Sequence, residues 1–446
     1  PAVTTTDNNS YSHNYGVETY LARINYGFKS RYYIDASWPT DGSSRFHPSD
    51  RWGHFWSVGA SWRISEEQFM ENTRQWLDNL TLKVSYGVQG NDNLGTYYAW
   101  QGLYDYTWPN ATDAGAFVDK LENRKVTWEK NGNLNAGIEA TMFGGRLGVS
   151  VEYYNRKTRD MLLNSPLPIS TGFTGFNDNV GSLRNQGLEV SLRGTILDKR
   201  DFRWDATLMG SFNRNKVLSL TGGQDVITSG IRVIEVGRPI YTFYLPKTAY
   251  WTQTVNDEGA LVNTRCDEYI TDNVAMATLS KYYHESREPK LFGSIGSTFT
   301  ILKNIDVSFL TTYSIGGWVY DGLYNSSMYV QYAGNNWHKN AKRRWQKPGD
   351  KTDVPMLEVG GSYATASNSL IDASYFAIKN ITVGYTLPKR WLKKIDIESL
   401  RIYATLDNIA MFNHMDGMDP QYNFTGSVAY SYTPSRVIAF GIDLNF

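Results

Sequence analysis

The chain closes on "RVIAFGIDLNF", residues 436–446. As a strand it puts Ile438, Phe440, Ile442, Leu444 and Phe446 on one side and Val437, Ala439, Gly441, Asp443 and Asn445 on the other. The first face is wholly apolar, and the second carries a carboxylate in mid-strand. Such a strand asks for an apolar medium on one side and a wet one on the other.

The same period-2 pattern recurs upstream. In "RLGVSVEYYNRK" (146–157) Leu147, Val149, Val151 and Tyr153 oppose Gly148, Ser150, Glu152 and Tyr154. In "GLEVSLRGTIL" (187–197) Leu188, Val190, Leu192 and Ile196 oppose Glu189, Ser191, Arg193 and Thr195. "FRWDATLMGSF" (202–212) and "LRIYATLDN" (400–408) repeat the pattern. One segment changes phase: Phe376 and Ile378 share a face, then Ile381, Val383 and Tyr385 resume one residue late, which predicts a β-bulge near Lys379–Asn380. Thirteen strands are expected near 17–28, 31–39, 51–64, 80–90, 131–143, 146–162, 183–197, 202–218, 289–302, 305–320, 373–388, 400–412 and 434–446. Many reach the roughly 9–11 residues a tilted strand needs to cross a bilayer, where ordinary strands run to about five or six.

The connections sort by length. Tight ones fall at 28–31, 143–146, 197–201 and 302–305, with somewhat longer ones at 65–79, a candidate helical turn, and 389–399. Between them lie long ones at 91–130, 163–182, 219–288, 321–372 and 413–433. Short turns at one end and long loops at the other are the pattern of an outer-membrane barrel. The fold class expected is all-β, a transmembrane antiparallel β-barrel. Bacterial barrels have an even strand count with both ends on the short-turn side. An odd count of thirteen places Pro1 on the long-loop side, so the chain reads as the C-terminal portion of a larger barrel.

Composition agrees. The 446 residues carry 44 basic and 44 acidic side chains, which lacks the basic excess of a nucleic-acid binder. The single cysteine, Cys266, excludes an intrachain disulfide and a cysteine-based zinc site. No stretch approaches the ~18 apolar residues of a membrane helix, and mean hydropathy is −0.44. A barrel hides its apolar residues in alternate positions, so a polar average does not exclude one. The opening "PAVTTTDNNSYSHNYG" is polar and has no signal-peptide character.

The order of short motifs resembles the SusC/RagA family of TonB-dependent outer-membrane transporters. "INYGFKSRYYIDASWPTDGSSRF" (24–46) holds the family's strand–turn–strand followed by an Asp-Gly-Ser-Ser-Arg-Phe loop, Asp41 to Phe46. "LKVSYGVQGND" (82–92), "VTWEKNGNLNAGIE" (126–139), "GRLGVSVEYYNRKTRDML" (145–162), "VGSLRNQGLEV" (180–190), "ASYFAIKNITVGYTLP" (373–388) and "LRIYATLDNIAMF" (400–412) follow in the family's order. "MDP" (418–420) resembles its Asp-Pro-Glu, with Gln421 in place of the acid.

This resemblance implies a 22-stranded barrel whose plug domain, TonB box and N-terminal region would lie upstream. It implies active import of large nutrients, oligosaccharide or peptide, across a Gram-negative outer membrane. The implied partners are a SusD-like surface lipoprotein acting as lid, TonB–ExbB–ExbD through the plug, and outer-membrane lipid and lipopolysaccharide. A dimer of SusC–SusD units is an assembly it leaves open. No cofactor, nucleic acid or catalytic residue is expected. The alternatives are a passive porin or structural barrel, and a secreted soluble glycan-binding β-protein.

Candidate site residues follow. Trp62, Trp204 and Tyr385 near strand ends suit an aromatic girdle; otherwise they are packed core. "NDNLGTYYAWQGLYDYTWPN" (91–110) concentrates Tyr97, Tyr98, Trp100, Tyr104, Tyr106 and Trp108, which suit substrate or lid contact or a loop folded on its own aromatics. The terminal aromatic Phe446 resembles the signal that the outer-membrane insertion machinery reads. His414, Asp416 and Asp419 lack a metal-loop pattern, and an Asp-Gly turn accounts for them. No metal site is expected.

Overall fold

The computed structural model describes residues 12–106, 115–220, 226–246, 250–255, 261–266, 281–328, 334, 336–344, 346, 352, 354, 365–392, 397–415, 418–422, 426–428 and 432–446. Fourteen strand segments form one antiparallel sheet that follows chain order. They are β1 (Val17–Phe28), β2 (Tyr32–Ser43), β3 (Trp52–His54 and Trp56–Arg63), β4 (Leu77–Asn91), β5 (Glu129–Met142), β6 (Leu147–Arg159) and β7 (Ser182–Lys199). The sheet continues through β8 (Phe202–Ser219), β9 (Leu291–Ile301), β10 (Ile305–Ile315), β11 (Tyr375–Thr386), β12 (Ser399–Asn413) and β13 (Val437–Asn445). The two segments of β3 pair with β2 in one register, so the sheet is a wall of thirteen staves. They part at Phe55, opposite Pro39, which has no N–H to donate across the ladder; Phe55 N still donates to Pro39 O at 2.9 Å. Among the described residues β1 and β13 each pair on one side only.

Register aligns the apolar positions into one continuous face. Tyr32 faces Trp62, then Leu82, Ile138, Val151 and Val190 in successive staves. Farther round, Trp204 faces Phe299, then Val307, Val383, Ala404 and Phe440. Large side chains on this face stay open, Ile24 at 71% and Phe440 at 82%. A contiguous apolar surface of that extent belongs against another apolar medium. The opposite face carries Asp35, Lys83, Glu139, Glu152, Glu189, Asp205, Asp306, Arg401 and Asp443 in the same registers.

The bulge expected near Lys379–Asn380 is present. Register slips between Ile378 and Asn380 against both neighbours, and β12 answers with Asn408, whose φ is +51°. A second bulge, unmarked in the sequence, omits Ile196: Thr195 faces Asp205 and Leu197 faces Trp204. The helical turn expected in 65–79 appears as 3-10 turns at Ile64–Glu66 and Gln68–Thr73. The strand expected at 305–320 stops at Ile315. Gly316 and Gly317 follow with φ of +79° and +81°, and a Cβ on Gly317 would lie 2.4 Å from Arg287 O. Trp318–Asp321 then pairs with Leu370–Asp372 in a separate small sheet.

Short turns join β1–β2, β5–β6, β7–β8 and β9–β10; the long connections gather at the opposite end and fold on themselves. The 160–181 connection contains a hairpin, Leu162–Pro166 with Gly175–Asn179. All four buried apolar clusters lie among these loops and the adjoining stave ends, for example Phe46, Phe55, Val126 and Trp128. Among the described residues the wall itself therefore holds no buried apolar cluster: the packed interior is a layer of loops across one end.

Candidate functional site: a polar face under a layer of loops

Tight cross-strand contacts order the polar face. Lys83 Nζ lies 2.6 Å from Glu139 Oε1. Arg401 donates to Asp306 through Nε at 3.0 Å and Nη2 at 2.7 Å, and reaches Asp443 through Nη1 at 3.2 Å, tying β10, β12 and β13 together. Gly384 makes room for this group, since a Cβ there would sit 2.5 Å from Asp306 Oδ1. Tyr154 is buried and donates to Asn213 Oδ1 at 2.8 Å. Glu152 and Glu189 stand directly opposite each other in the register of β6 and β7. Two carboxylates so placed, on a face lined with hydroxyls and amides, leave it hydrophilic and suited to water-filled space.

The loop layer is anchored at stave tops. Asn215, buried at the end of β8, donates from its amide to Asn185 Oδ1 at 2.7 Å and accepts from Ile240 N at 2.9 Å. Its backbone N–H donates to Glu288 Oε2 at 3.1 Å. Burial pushes the Glu288 carboxyl above the ordinary range, partly offset by that bond. Arg287 beside it is held below its usual value by burial, and its Nη2 donates to Pro420 O at 2.7 Å. Arg238 stacks over Tyr283 at 3.7 Å while its Nε donates to Glu235 Oε2 at 2.6 Å. Both line an open cleft of about 620 Å³ shared with Thr242, His284, Trp318 and Leu370. Nothing in the sequence marks this cleft, because its residues come from segments more than 30 positions apart.

The aromatic loop divides. Tyr97 and Tyr98 turn inward against His13, at ring distances of 5.0 and 5.8 Å, and Tyr97 also meets Tyr15 at 5.7 Å. The Arg45 guanidinium covers Tyr15 at 4.5 Å and Tyr97 at 5.1 Å and bonds Asp92 at 3.2 Å. Trp100 meets His47 edge-on at 5.1 Å and packs on the Phe46–Trp128 cluster. These three pack against residues of other segments. Tyr104 and Tyr106 stay open, at 59% and 67%. Trp108 lies outside the described residues.

Trp62, Trp204 and Tyr385 all stand at the short-turn end of the apolar face. Trp62 stacks on Tyr32 at 6.4 Å and donates to Glu67 Oε1 at 3.0 Å. The Tyr32 hydroxyl, the Trp62 indole and Arg31 hold the Glu67 carboxyl below its usual range. Trp204 stacks on Phe299 at 5.7 Å and donates to Ser297 Oγ at 2.6 Å. Tyr385 stands opposite Ile305 and Ile402. A second aromatic row at the long-loop end escaped the sequence reading: Trp56 and Tyr86, with rings 5.5 Å apart, Tyr153, Phe212, and the pair Phe376–Phe412 at 6.4 Å. Its signal was present on the same strands six to nine residues farther up, at Trp56, Phe212 and Phe376, the last out of phase with Tyr385 because of the bulge near Lys379–Asn380. Phe446 is exposed just past β13. Asp419 is buried and accepts from Gln421 N at 2.9 Å and Gln421 Nε2 at 3.0 Å, which is a turn role; Asp416 lies outside the described residues.

Residues 2–409 match the family model described as TonB dependent receptor-like, beta-barrel. A TonB-dependent receptor of Formosa agariphila is 29% identical over 96% of this chain and 46% of its own length. TonB-dependent receptor SusC of Bacteroides thetaiotaomicron is 28% identical over 96% of this chain and 43% of its own. The chain thus spans about half the length of the curated relatives it matches. The RagAB peptide importer in its closed-closed state superposes with a TM-score of 0.81 at 28% identity, over 97% of this chain and 48% of that one. Its open-open state gives 0.79 at 26% identity.

Proposed function

The chain belongs to the TonB dependent receptor-like β-barrel family, and from that premise we propose that it is the C-terminal wall of a SusC-like importer in a Gram-negative outer membrane. The observation that carries this reading is the two-faced wall: a continuous apolar face with aromatic rows at both ends, backed by a hydrophilic face beneath a packed loop layer. In this reading Trp62, Trp204 and Tyr385 sit in the periplasmic girdle, and Phe446 serves barrel insertion. The free sides of β1 and β13 pair with staves from the other half of a 22-stranded barrel, since an open strand edge in lipid leaves its backbone groups unsatisfied. The relatives' greater length accommodates those staves and an upstream plug.

The transported substance is a large nutrient, oligosaccharide or peptide, taken through a lumen lined by residues such as Lys83, Glu152 and Arg193. A SusD-like lipoprotein rests on the loop layer, TonB–ExbB–ExbD pulls the plug, and the unit pairs into a dimer of such complexes. The likeness to the RagAB peptide importer is the reason to try peptides first. Tyr104 and Tyr106 are exposed aromatics of the loop layer and are assigned to substrate or lid. No catalytic step is assigned to this chain.

The test is uptake of labelled oligopeptides and oligosaccharides by cells carrying the full-length protein, with and without TonB and with the proton gradient collapsed. Import that stops in both conditions supports the reading. Import that persists without TonB indicates a passive porin, and recovery of the protein in the soluble fraction indicates a secreted binder.

A further inference from the structure

Six cations gather where the apolar face ends. Above the aromatic row of Tyr153 and Phe212, the long-loop ends of β5 to β8 carry Lys130, Lys157, Arg159, Arg184, Arg214 and Lys216. Register makes them neighbours: Lys130 faces Arg159, Arg184 lies between Lys157 and Lys216, and Arg214 follows two residues after Phe212. The pairing runs without a slip from this row down to Val151, Val190 and Leu208, so all six project from the apolar side of the wall.

Like charges across neighbouring strands repel, and a protein that only needed solubility there would intersperse carboxylates. In the line between Lys157–Arg184–Lys216 and the aromatic row stand Asn155, Gln186 and Arg214, with no carboxylate among them. Lys130 meets Asp160 at 3.8 Å, and no described carboxylate pairs with the other five. Arg184 Nε is buried with no hydrogen-bond partner. The row is therefore an unneutralised basic strip with an unused guanidinium donor at its centre.

We infer that this strip binds phosphorylated lipid headgroups of the outer leaflet, with Arg184 taking a phosphate in its planar fork and Lys157 and Lys216 flanking it. The inference rests on the outer-membrane placement proposed above. Given that placement, the face below the strip meets hydrocarbon, and what lies at the height just past an aromatic row is the headgroup layer. A soluble anionic protein would have to enter that layer to reach the same side chains. At the same height the lumen-facing positions of β6 to β8 hold a single cation, Arg156, beside Asn185, Asn213 and Asn215, so the cluster of cations is confined to the apolar side.

The test uses the full-length protein in phosphatidylethanolamine nanodiscs containing fluorescent lipid A, with retention measured against added salt. The variant is Lys157→Gln/Arg184→Gln/Lys216→Gln. The control, Lys83→Gln/Arg156→Gln/Arg193→Gln, removes the same charge from the opposite face. The wild type and the control should retain lipid A equally, and the strip variant should retain at least about tenfold less. Dephosphorylated lipid A should not discriminate among the three. Equal retention by wild type and strip variant overturns the proposal, as does an equal loss in the control. Full displacement by inorganic phosphate would assign the strip to a free anion, and loss of a co-purifying surface protein with lipid A retained would assign it to a protein partner; either overturns it. Heat-modifiable mobility establishes that each variant is folded. Fractionation of the wild type separates this outcome from failure of the outer-membrane reading, which alone would place the protein outside that membrane.

Discussion

Placing one arginine at different heights on β7 tests the two-faced wall directly. Leu192 faces Val149 and Leu208 on the apolar side. The lower aromatic level on the same stave is Leu197, opposite Trp204; the upper is Leu188, opposite Tyr153 and Phe212. Those levels lie about five residues below and four above Leu192. At about 3.3 Å per residue and a tilt near 40°, that is roughly 13 Å and 10 Å along the membrane normal, close to the ~25 Å apolar band of outer-membrane barrels. Leu192 is thus near the midplane, where an arginine costs about 2–4 kcal/mol, and Leu188 is near an interface, where it costs about 0–1 kcal/mol. Leu192→Arg should shift the folding equilibrium by roughly thirtyfold to a thousandfold. Ser191→Arg, one residue away on the hydrophilic face, should leave it nearly unchanged. The assay is urea-dependent folding of the full-length protein into lipid vesicles, read by heat-modifiable gel mobility. Equal costs at Leu192 and Leu188, or a cost at Ser191 matching that at Leu192, would refute the assignment of faces.

Arg401→Ala should destabilise the docking of β13 by about 1.5–3 kcal/mol, because it strands Asp306 and frees Asp443; protease sensitivity of the last strand measures it, and unchanged protection argues against the network. Gly187→Val should be poorly tolerated, since a Cβ there lies 2.0 Å from Phe212 O and 2.5 Å from the Tyr154 hydroxyl; a folding loss of about 1–3 kcal/mol or more is expected, and wild-type expression would contradict the packing. Glu288 has a carboxyl pKa raised by burial, so folding favours its protonated form. Protection of the 226–246 loop against hydrogen exchange should therefore be greatest below the ordinary glutamate pKa and decline as pH rises through the raised value. Glu288→Gln should flatten that profile and raise protection at neutral pH, and an unchanged profile would exclude Glu288 as its source. Tyr104→Ala/Tyr106→Ala should weaken substrate or lid binding while Trp100→Ala loosens the loop, read by binding and by exchange respectively; the reverse pattern would exchange their roles.

Much of the wall was legible in the chain. Stave positions, the short-turn and long-loop ends, and the bulge at Lys379 all follow from period-2 alternation and its one audible break. The bulge at Ile196 left no trace, because Ile196 is apolar and keeps the beat while the backbone slips beneath it. The strand drawn through to residue 320 failed for a related reason: the apolar pattern continues past Gly316–Gly317, but their positive φ turns the chain into another sheet. Of the aromatic loop, the sequence marked the residues but could not divide Tyr97, Tyr98 and Trp100 from Tyr104 and Tyr106. Their partners His13, Arg45 and His47 lie in other segments.

The sequence by itself determined that this chain is a series of two-faced strands ending at Phe446, since alternation is a local consequence of where successive Cβ atoms point. Only the tertiary structure decided which positions share a height. A girdle, or a basic strip such as Lys157, Arg184 and Lys216, is a row that crosses strands, and register between distant segments together with strand tilt sets who stands in it.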